Sequence, residues 1–278
     1  MLPRSPPPDL IRHVPDAGPL SDACICEPVG MDELRWTADD QFTAGLDRPI
    51  LVVAFRGLFD AAGSATSAVE WLAERLDSMQ VGDVDPETFF DFTQERPVVE
   101  FDEHDVRRIR WASNRVLAVR TADGQRDIVL VSGIEPHLRW RTFTEALLEA
   151  ATRSGSRLVV TLGSMSGMSP HTRPPAVTGS STNRELADRL GLDRPSYQGP
   201  TGVVGVLHDT LDRAGIPVIS LRVSVPYYLP DSPNPKATRA LLRRFEQVSG
   251  IDTAHADLDG PAAEWQSRVE LAVAGDAE

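Results

Sequence analysis

Polar side chains follow three predicted strands of this sequence. Asp60 follows the apolar run Ile50–Phe55, Glu135 follows a predicted hairpin, and Ser164 follows the apolar run Leu158–Leu162. Because ligands of open α/β sheets settle at the carboxyl ends of the strands, we expect these side chains to converge on one edge. The candidate ligand-binding residues of this edge are Asp60, Glu135, His137, Ser164, Thr178, Ser180, Ser181, Asn183, Thr201 and Gly202.

Two predicted helix N-termini contribute to this expected site. Thr182 and Glu185 fit a capping box, so a helix is predicted to begin after Ser180–Asn183, and a second is predicted to begin at Thr201–Gly202. The free N–H groups of both could bind a carboxylate or a phosphate, with ordinary capping as the alternative. Asp60 and Glu135 would compete with a free phosphate, which favours a neutral ligand rich in hydroxyl or amide groups.

The segment Gly163–Gly167, GSMSG, is similar to a nucleophile elbow but has Met165 where the catalytic serine would stand. Ser164 or Ser166 could act with His171 or His208, yet serines in a Gly-rich loop are typical of turns. We therefore predict no catalytic residue.

Metal and cofactor motifs are also missing from the sequence. The histidines are scattered, none forms an H-x-x-x-H pair, and Cys24 and Cys26 have no further cysteine to complete a zinc set. Thr201 interrupts the glycine pattern of a dinucleotide loop, and there is no Walker motif. The sequence predicts neither a metal nor a cofactor.

Composition excludes several classes of function. The 278 residues, 41% of them hydrophobic, can bury a full core. A formal net charge of −13 argues against a nucleic-acid surface, which needs clustered positive charge. No apolar run approaches the roughly 20 residues that span a bilayer. We expect a cytoplasmic protein that binds neither nucleic acid nor membrane.

The chain is predicted to have three parts. Residues 1–47 form an extended, Pro-rich arm with a possible short helix at Met31–Asp40. Residues 48–250 form an α/β core, and residues 251–278 a C-terminal helix and tail. A peripheral insertion at 83–110 carries Phe89, Phe90, Phe92 and Phe101 as expected packing anchors.

Short apolar strands alternate with helical patterns along the core. This alternation predicts a three-layer α/β/α sandwich around a mixed, mostly parallel sheet, with Leu158–Leu162 covered on both faces. Asp123-Gly124 is a hairpin turn signal that adds an antiparallel pair. Residues 163–182 are expected to form an exposed loop. The predicted strands are Ile50–Phe55, Arg115–Arg120, Asp127–Val131, Leu158–Leu162 and Val218–Val223.

Five separated segments carry a family resemblance: LVVAFRGLFDAAGSAT, VTGSSTNRELADRLGL, YQGPTGVVGVLHD, SLRVSVPYY and NPKATRALL. In this order they resemble the proteasome assembly chaperone 2 family, particularly its actinobacterial branch, over about Ile50–Val248. The resemblance implies a fold like that of nucleoside phosphorylases and an interaction role without established activity. Members that build proteasomes carry a C-terminal hydrophobic-Tyr-X tail. Ala277 stands at the Tyr position here, which argues against docking through that tail.

The sequence therefore predicts a self-associating protein-interaction or chaperone-like module. A homo-oligomer is expected, with a trimer favoured from the family and a dimer next. The apolar segments Met165–Met168 and Val225–Leu229 are expected to be buried between subunits. The partners are a second copy, another protein or a small molecule. The alternative is an enzyme of phosphorylase or hydrolase type acting on a nucleoside-like or hydroxyl-rich substrate.

Overall fold

The computed structural model describes residues 34–36, 45–121 and 125–275. Within the predicted arm, Leu34–Trp36 is a strand, so the helix expected there is wrong at these residues. The rest of that helix, the Asp123-Gly124 turn and the chain end with Ala277 lie outside the described residues.

Eight strands form the main sheet in the order β1-β3-β6-β7-β2-β8-β10-β9. The central neighbours β7, β2, β8 and β10 are parallel, whereas the flanking strands pair antiparallel. The predicted mixed sheet is confirmed, but it is not mostly parallel, because three of its described strand pairs are parallel and four are antiparallel. The strands are β1 Leu34–Trp36, β2 Ile50–Arg56, β3 Asp77–Val84, β6 Asn114–Arg120, β7 Ile128–Ile134, β8 Val159–Gly167, β9 Val177–Ser181 and β10 Val218–Pro226.

Helices cover both faces of this sheet. The helices are α1 Ser64–Arg75, α2 Pro86–Phe89, α3 Trp140–Ser154, α4 Arg184–Leu190, α5 Val203–Arg213, α6 Pro235–Ser249 and α7 Asp259–Gly275. Alternate residues of β2 enter two separate cores, because successive side chains of a strand point to opposite faces. Ile50 and Val52 pack with α1 and α6, whereas Leu51 and Val53 pack with α3 and α5. The three-layer α/β/α sandwich is thus confirmed.

The apolar run of β8 lies between β2 and β10, in the middle of the sheet. Its residues from Leu158 to Leu162 are at most 3% exposed, so the predicted burial on both faces is confirmed. The exposed loop predicted at residues 163–182 is wrong over half of its length. β8 continues to Gly167 along β10, and β9 pairs antiparallel with the other edge of β10. Backbone pairing with β10 holds these Gly- and Ser-rich segments as strands.

The predicted insertion begins inside the main sheet, because β3 extends to Val84 against β6. Polar residues interrupt the apolar alternation of β3, which hid this strand from the sequence pattern. After α2, β4 (Val98–Phe101) and β5 (Arg107–Arg110) form a separate two-stranded hairpin. Phe89 and Phe90 are buried as predicted, but Phe101 on this hairpin is 66% exposed and anchors no core.

Candidate functional site

Asp60 lies between β2 and α1 and accepts hydrogen bonds at the start of that helix. Its Oδ1 accepts from the backbone N–H groups of Ala65 at 2.8 Å and Thr66 at 3.1 Å, and its Oδ2 accepts from the Thr66 hydroxyl at 2.5 Å. Burial raises the pKa of Asp60, while these hydrogen bonds act in the opposite direction. The carboxylate therefore stabilises its own helix.

Ser164 contacts Asp60 at the carboxyl end of β8. Its hydroxyl donates to the Ala61 carbonyl at 2.7 Å and lies 3.4 Å from Asp60 Oδ1, and its backbone N–H donates to Phe59 at 2.7 Å. Ser164 is fully buried. No histidine is among its hydrogen-bond partners in the described part of the chain, and the carboxylate beside it, Asp60, already accepts from Ala65 and Thr66.

Glu135 joins three segments that are distant in sequence. Its Oε2 accepts from the Leu58 N–H at 2.9 Å, and its Oε1 accepts from the Val203 N–H at 3.1 Å, at the start of α5. Added Cβ atoms at Gly57 and Gly202 would lie 2.5 and 2.7 Å from these oxygens. The Asp60 and Glu135 carboxylates thus accept hydrogen bonds from backbone N–H groups of helices and loops. These bonds leave fewer acceptor positions for a ligand.

His137 and Thr201 lie near this end of the sheet but are engaged in local contacts. His137 Nδ1 accepts from the Asp91 N–H at 3.2 Å, and its ring packs edge-on against Phe90 at 5.8 Å between centroids. Thr201 is exposed, and its hydroxyl fills the position that a side chain at Gly205 would take. Both side chains are therefore engaged in contacts within the protein.

Ser181 and Asn183 lie at the opposite end of the sheet, so the expected convergence on one edge is wrong for them. Ser181 pairs with Ile219 near the start of β10, whereas Ser164 pairs with Val223 near its end. The reason is the antiparallel direction of β9, which begins near the level of Ser164 with Thr178 and carries Ser180 and Ser181 away from the carboxyl edge. Ligand binding by these residues stays a prediction.

The cap of α4 also differs from the predicted capping box. Asn183 is the N-cap, and its Oδ1 accepts from the Leu186 N–H at 3.0 Å. Thr182 instead donates its hydroxyl to Asp212 at 2.7 Å, and Glu185 pairs with Arg189 at 3.7 Å. Asx side chains are as effective at the N-cap as Ser or Thr, and the sequence could not decide between the neighbours.

A polar cluster lies on the face of β8 and β10 next to α5. It was not predicted from the sequence. His208 Nε2 contacts the Thr161 hydroxyl at 2.9 Å. Burial, together with the nearby charge of Arg222, lowers the pKa of His208 to about 4, so its ring is neutral at pH 7. The available signal was the alternation of Ser220, Arg222 and Ser224 with apolar residues in the predicted last strand.

A Met–Tyr patch, made of Met165, Met168, Tyr227 and Tyr228, lies at the carboxyl ends of β8 and β10. The Tyr227 N–H donates to the Gly167 carbonyl at 3.1 Å, and the two tyrosine rings stack edge-on at 5.3 Å. The side chains are 40–89% exposed. Met165–Met168 and Val225–Leu229 were expected to be buried between subunits. Within the single chain, only Val225 and Pro226 of these segments are buried.

The hairpin β4–β5 presents a second exposed apolar surface. All eight residues of its strands are exposed. Val99, Phe101 and Ile109 lie on one face, while the other face carries an ion pair between Glu100 and Arg110. Such a two-sided hairpin is marginal in water unless something covers its apolar face.

Two classes of site find no support in the described parts of the chain. Residues 34–36, 45–121 and 125–275 contain no group of three His, Cys, Asp or Glu side chains placed to hold a metal ion. Among the same residues, no helix has the length and apolar character needed to cross a bilayer.

The fold and these surfaces define a three-layer α/β/α protein with exposed apolar patches. The PAC2 family profile matches residues 54–273, so the chain belongs to the PAC2 family. The resemblance to proteasome assembly chaperones expected from the sequence is confirmed. No curated protein matches the chain.

Solved structures give the same result. A PAC2 family protein from Streptomyces avermitilis is 41% identical with a TM-score of 0.77, over 80% of this chain and 95% of that one. A proteasome-assembly chaperone homologue from Mycobacterium tuberculosis is 37% identical with a TM-score of 0.73, over 80% and 94%. The archaeal proteasome activator PbaB from Pyrococcus furiosus, 17% identical with a TM-score of 0.67 over 87% and 99%, shares the fold.

Proposed function

We propose that this chain is a cytoplasmic, self-associating protein-interaction module of chaperone-like type. The Met–Tyr patch is the observation that carries the proposal. Met168 is 89% exposed and Tyr227 60% exposed on a surface held by paired strands. Tyr and Met are enriched in protein interfaces, and a contiguous apolar patch of this kind is costly to leave in water.

A second copy of the chain is the first partner that this surface would bind. The backbone pairing of Gly167 with Pro226 and the ring contact between Tyr227 and Tyr228 fix the patch before binding, so little side-chain entropy is lost on association. Closed symmetric assemblies are the usual outcome for such patches. We propose a trimer, as the family resemblance implies, with a dimer as the next possibility.

A different protein is the second proposed partner. The M. tuberculosis relative is described as a proteasome-assembly chaperone homologue, and PbaB as a proteasome activator. These descriptions support binding of a protein, rather than turnover of a small substrate, as the role of this chain. The full burial of Ser164, whose hydroxyl donates to the Ala61 carbonyl, supports the same choice over the phosphorylase or hydrolase alternative.

Light scattering coupled to size-exclusion chromatography tests self-association. At micromolar concentration we expect a mass that is a multiple of the 30.4 kDa chain, with three copies favoured. Met168→Glu and Tyr227→Glu place a charge in the patch and should shift the mass to the monomer. Leu271→Glu is the matched control, because Leu271 is 74% exposed on α7, outside the patch. A wild-type chain that is only monomeric would overturn the proposal.

A further inference from the structure

One face of the sheet edge formed by β8, β10 and β9 is polar, although apolar side chains line the opposite face. Leu221 and Val223 of β10 enter the core beneath α6. The alternate residues of the three strands pair in rows on the other face: Thr161, Ser220 and Ser180 in one row, and Gly163, Arg222 and Thr178 in the next. Strands in the middle layer of such a sandwich usually carry apolar side chains on both faces. The polar groups of this face therefore need polar partners, although Thr161, Ser220 and Ser180 are buried.

Arg222 stands in the middle of this face without a carboxylate partner. Arg222 is half-buried, and its side-chain hydrogen bond is a long one, 3.4 Å to the Ser180 hydroxyl. No acidic group of the described residues lies within ion-pair distance of it, although the chain has a net charge of −13. A partly buried cation without a counter-ion is destabilising, so the position invites an anion.

Gly163 makes room for the Arg222 side chain. An added Cβ at Gly163 would lie 3.2 Å from Arg222 Cγ and 3.4 Å from the Phe59 carbonyl oxygen. The base of the arginine side chain thus lies beside β8 where no side chain stands in its way, and its guanidinium reaches Ser180 on β9. Thr178, on the neighbouring strand, is exposed, so solvent reaches this row of the sheet.

His208 adds no positive charge to this face beside Arg222, because its ring is neutral at pH 7. Its Nε2 contacts Thr161, and the ring is held neutral by burial and by the proximity of Arg222. The Ser180 hydroxyl accepts from the guanidinium at 3.4 Å and keeps its own proton to donate, and the Thr178 hydroxyl donates to the Arg222 carbonyl through a long bond of 3.4 Å. A planar guanidinium fork flanked by hydroxyls matches the oxygens of a carboxylate or a phosphate group.

We propose that Arg222, with the Ser180 and Thr178 hydroxyls, binds the oxyanion of a small molecule, a phosphate or a carboxylate group. This site differs from the neutral-ligand site expected at Asp60 and Glu135, whose oxygens are engaged by backbone donors. Its residues are not members of the Met–Tyr patch, although Met165 of that patch lies in the next row of the same face.

Isothermal titration of the full chain with inorganic phosphate, and separately with acetate, tests the site. We expect saturable binding of at least one probe, and the probe that binds identifies the oxyanion. Arg222→Gln should weaken it by at least about tenfold, the loss of one hydrogen bond to a charged group. Arg243→Gln is the matched control, because Arg243 is exposed on α6, on the opposite side of the sheet.

A second variant keeps the test independent of folding defects. Ser180→Ala retains the guanidinium and removes one flanking hydroxyl, so we expect weaker binding by a factor of roughly two to five. The proposal is overturned if the wild type binds neither probe, or if Arg222→Gln and Ser180→Ala bind as tightly as the wild type. The oligomer mass, measured on the same samples, separates a failure of this site from a failure of self-association.

Discussion

The Glu135 carboxylate fills the space that any side chain at Gly202 would need, because an added Cβ there would lie 2.7 Å from Oε1. The same oxygen accepts the Val203 N–H at 3.1 Å and so begins α5. The close approach ties the end of β7 to a helix 68 residues later in the chain.

Gly202→Ala should therefore destabilise the fold. The added methyl group meets a carboxylate that two backbone donors hold in place, and such overpacking costs about 1–3 kcal/mol. Urea denaturation measures the free energy of unfolding. Gly260→Ala is the control, since nothing lies within 4 Å of an added Cβ at that position in α7. Equal stabilities of the two variants would contradict this account of Glu135.

Removing the carboxylate should have a related effect. Glu135→Ala leaves the Leu58 and Val203 N–H groups without their acceptor, and we expect a loss of roughly 2–4 kcal/mol in the free energy of unfolding. Glu145→Ala, at an exposed position of α3, should change it by less than about 0.5 kcal/mol. Hydrogen exchange of the Val203 amide checks the cause, because only Glu135→Ala should accelerate it.

His208 should make stability depend on pH. Its folded pKa of about 4 lies below the ordinary value of 6.5, so the unfolded chain binds the proton more tightly. The contribution of neutral His208 to the free energy of unfolding is fully present above pH 6.5. It is lost as the pH falls from 6.5 to about 4, by up to roughly 3 kcal/mol.

Denaturation at pH 4.5 and pH 7 measures this contribution. His208→Gln should reduce the difference between the two pH values, whereas His104→Gln, at an exposed position, should leave it unchanged. An NMR titration of His208 with a midpoint near 6.5 would refute the explanation.

Two phenylalanines of one segment should respond differently to truncation. Phe89 is fully buried and stacks against Phe143 at 5.3 Å, so Phe89→Ala should cost about 3–5 kcal/mol. Phe101 is 66% exposed, and Phe101→Ala should change the free energy of unfolding by less than about 0.5 kcal/mol. Thermal denaturation distinguishes them, and a large loss in Phe101→Ala would show that the hairpin packs against the body.

Local pattern determined the parts of the fold that depend on burial alone. The apolar runs at Ile50 and Leu158 predicted strands, the second covered on both faces, and the helical patterns between the strands predicted the helices that cover the sheet. Side-chain direction repeats every two residues in a strand and every 3.6 in a helix, so neighbours in sequence carry this information.

Tertiary structure decided where the polar residues act. Ser181 was expected beside Ser164, but the antiparallel pairing of β9 with β10 carries it to the other end of the sheet. Thr161 meets His208 from 47 residues away, and Glu135 meets Val203 from 68. A hydrogen bond needs its two atoms within about 3 Å in a fixed direction, and no period in the sequence records which distant segment supplies the second atom.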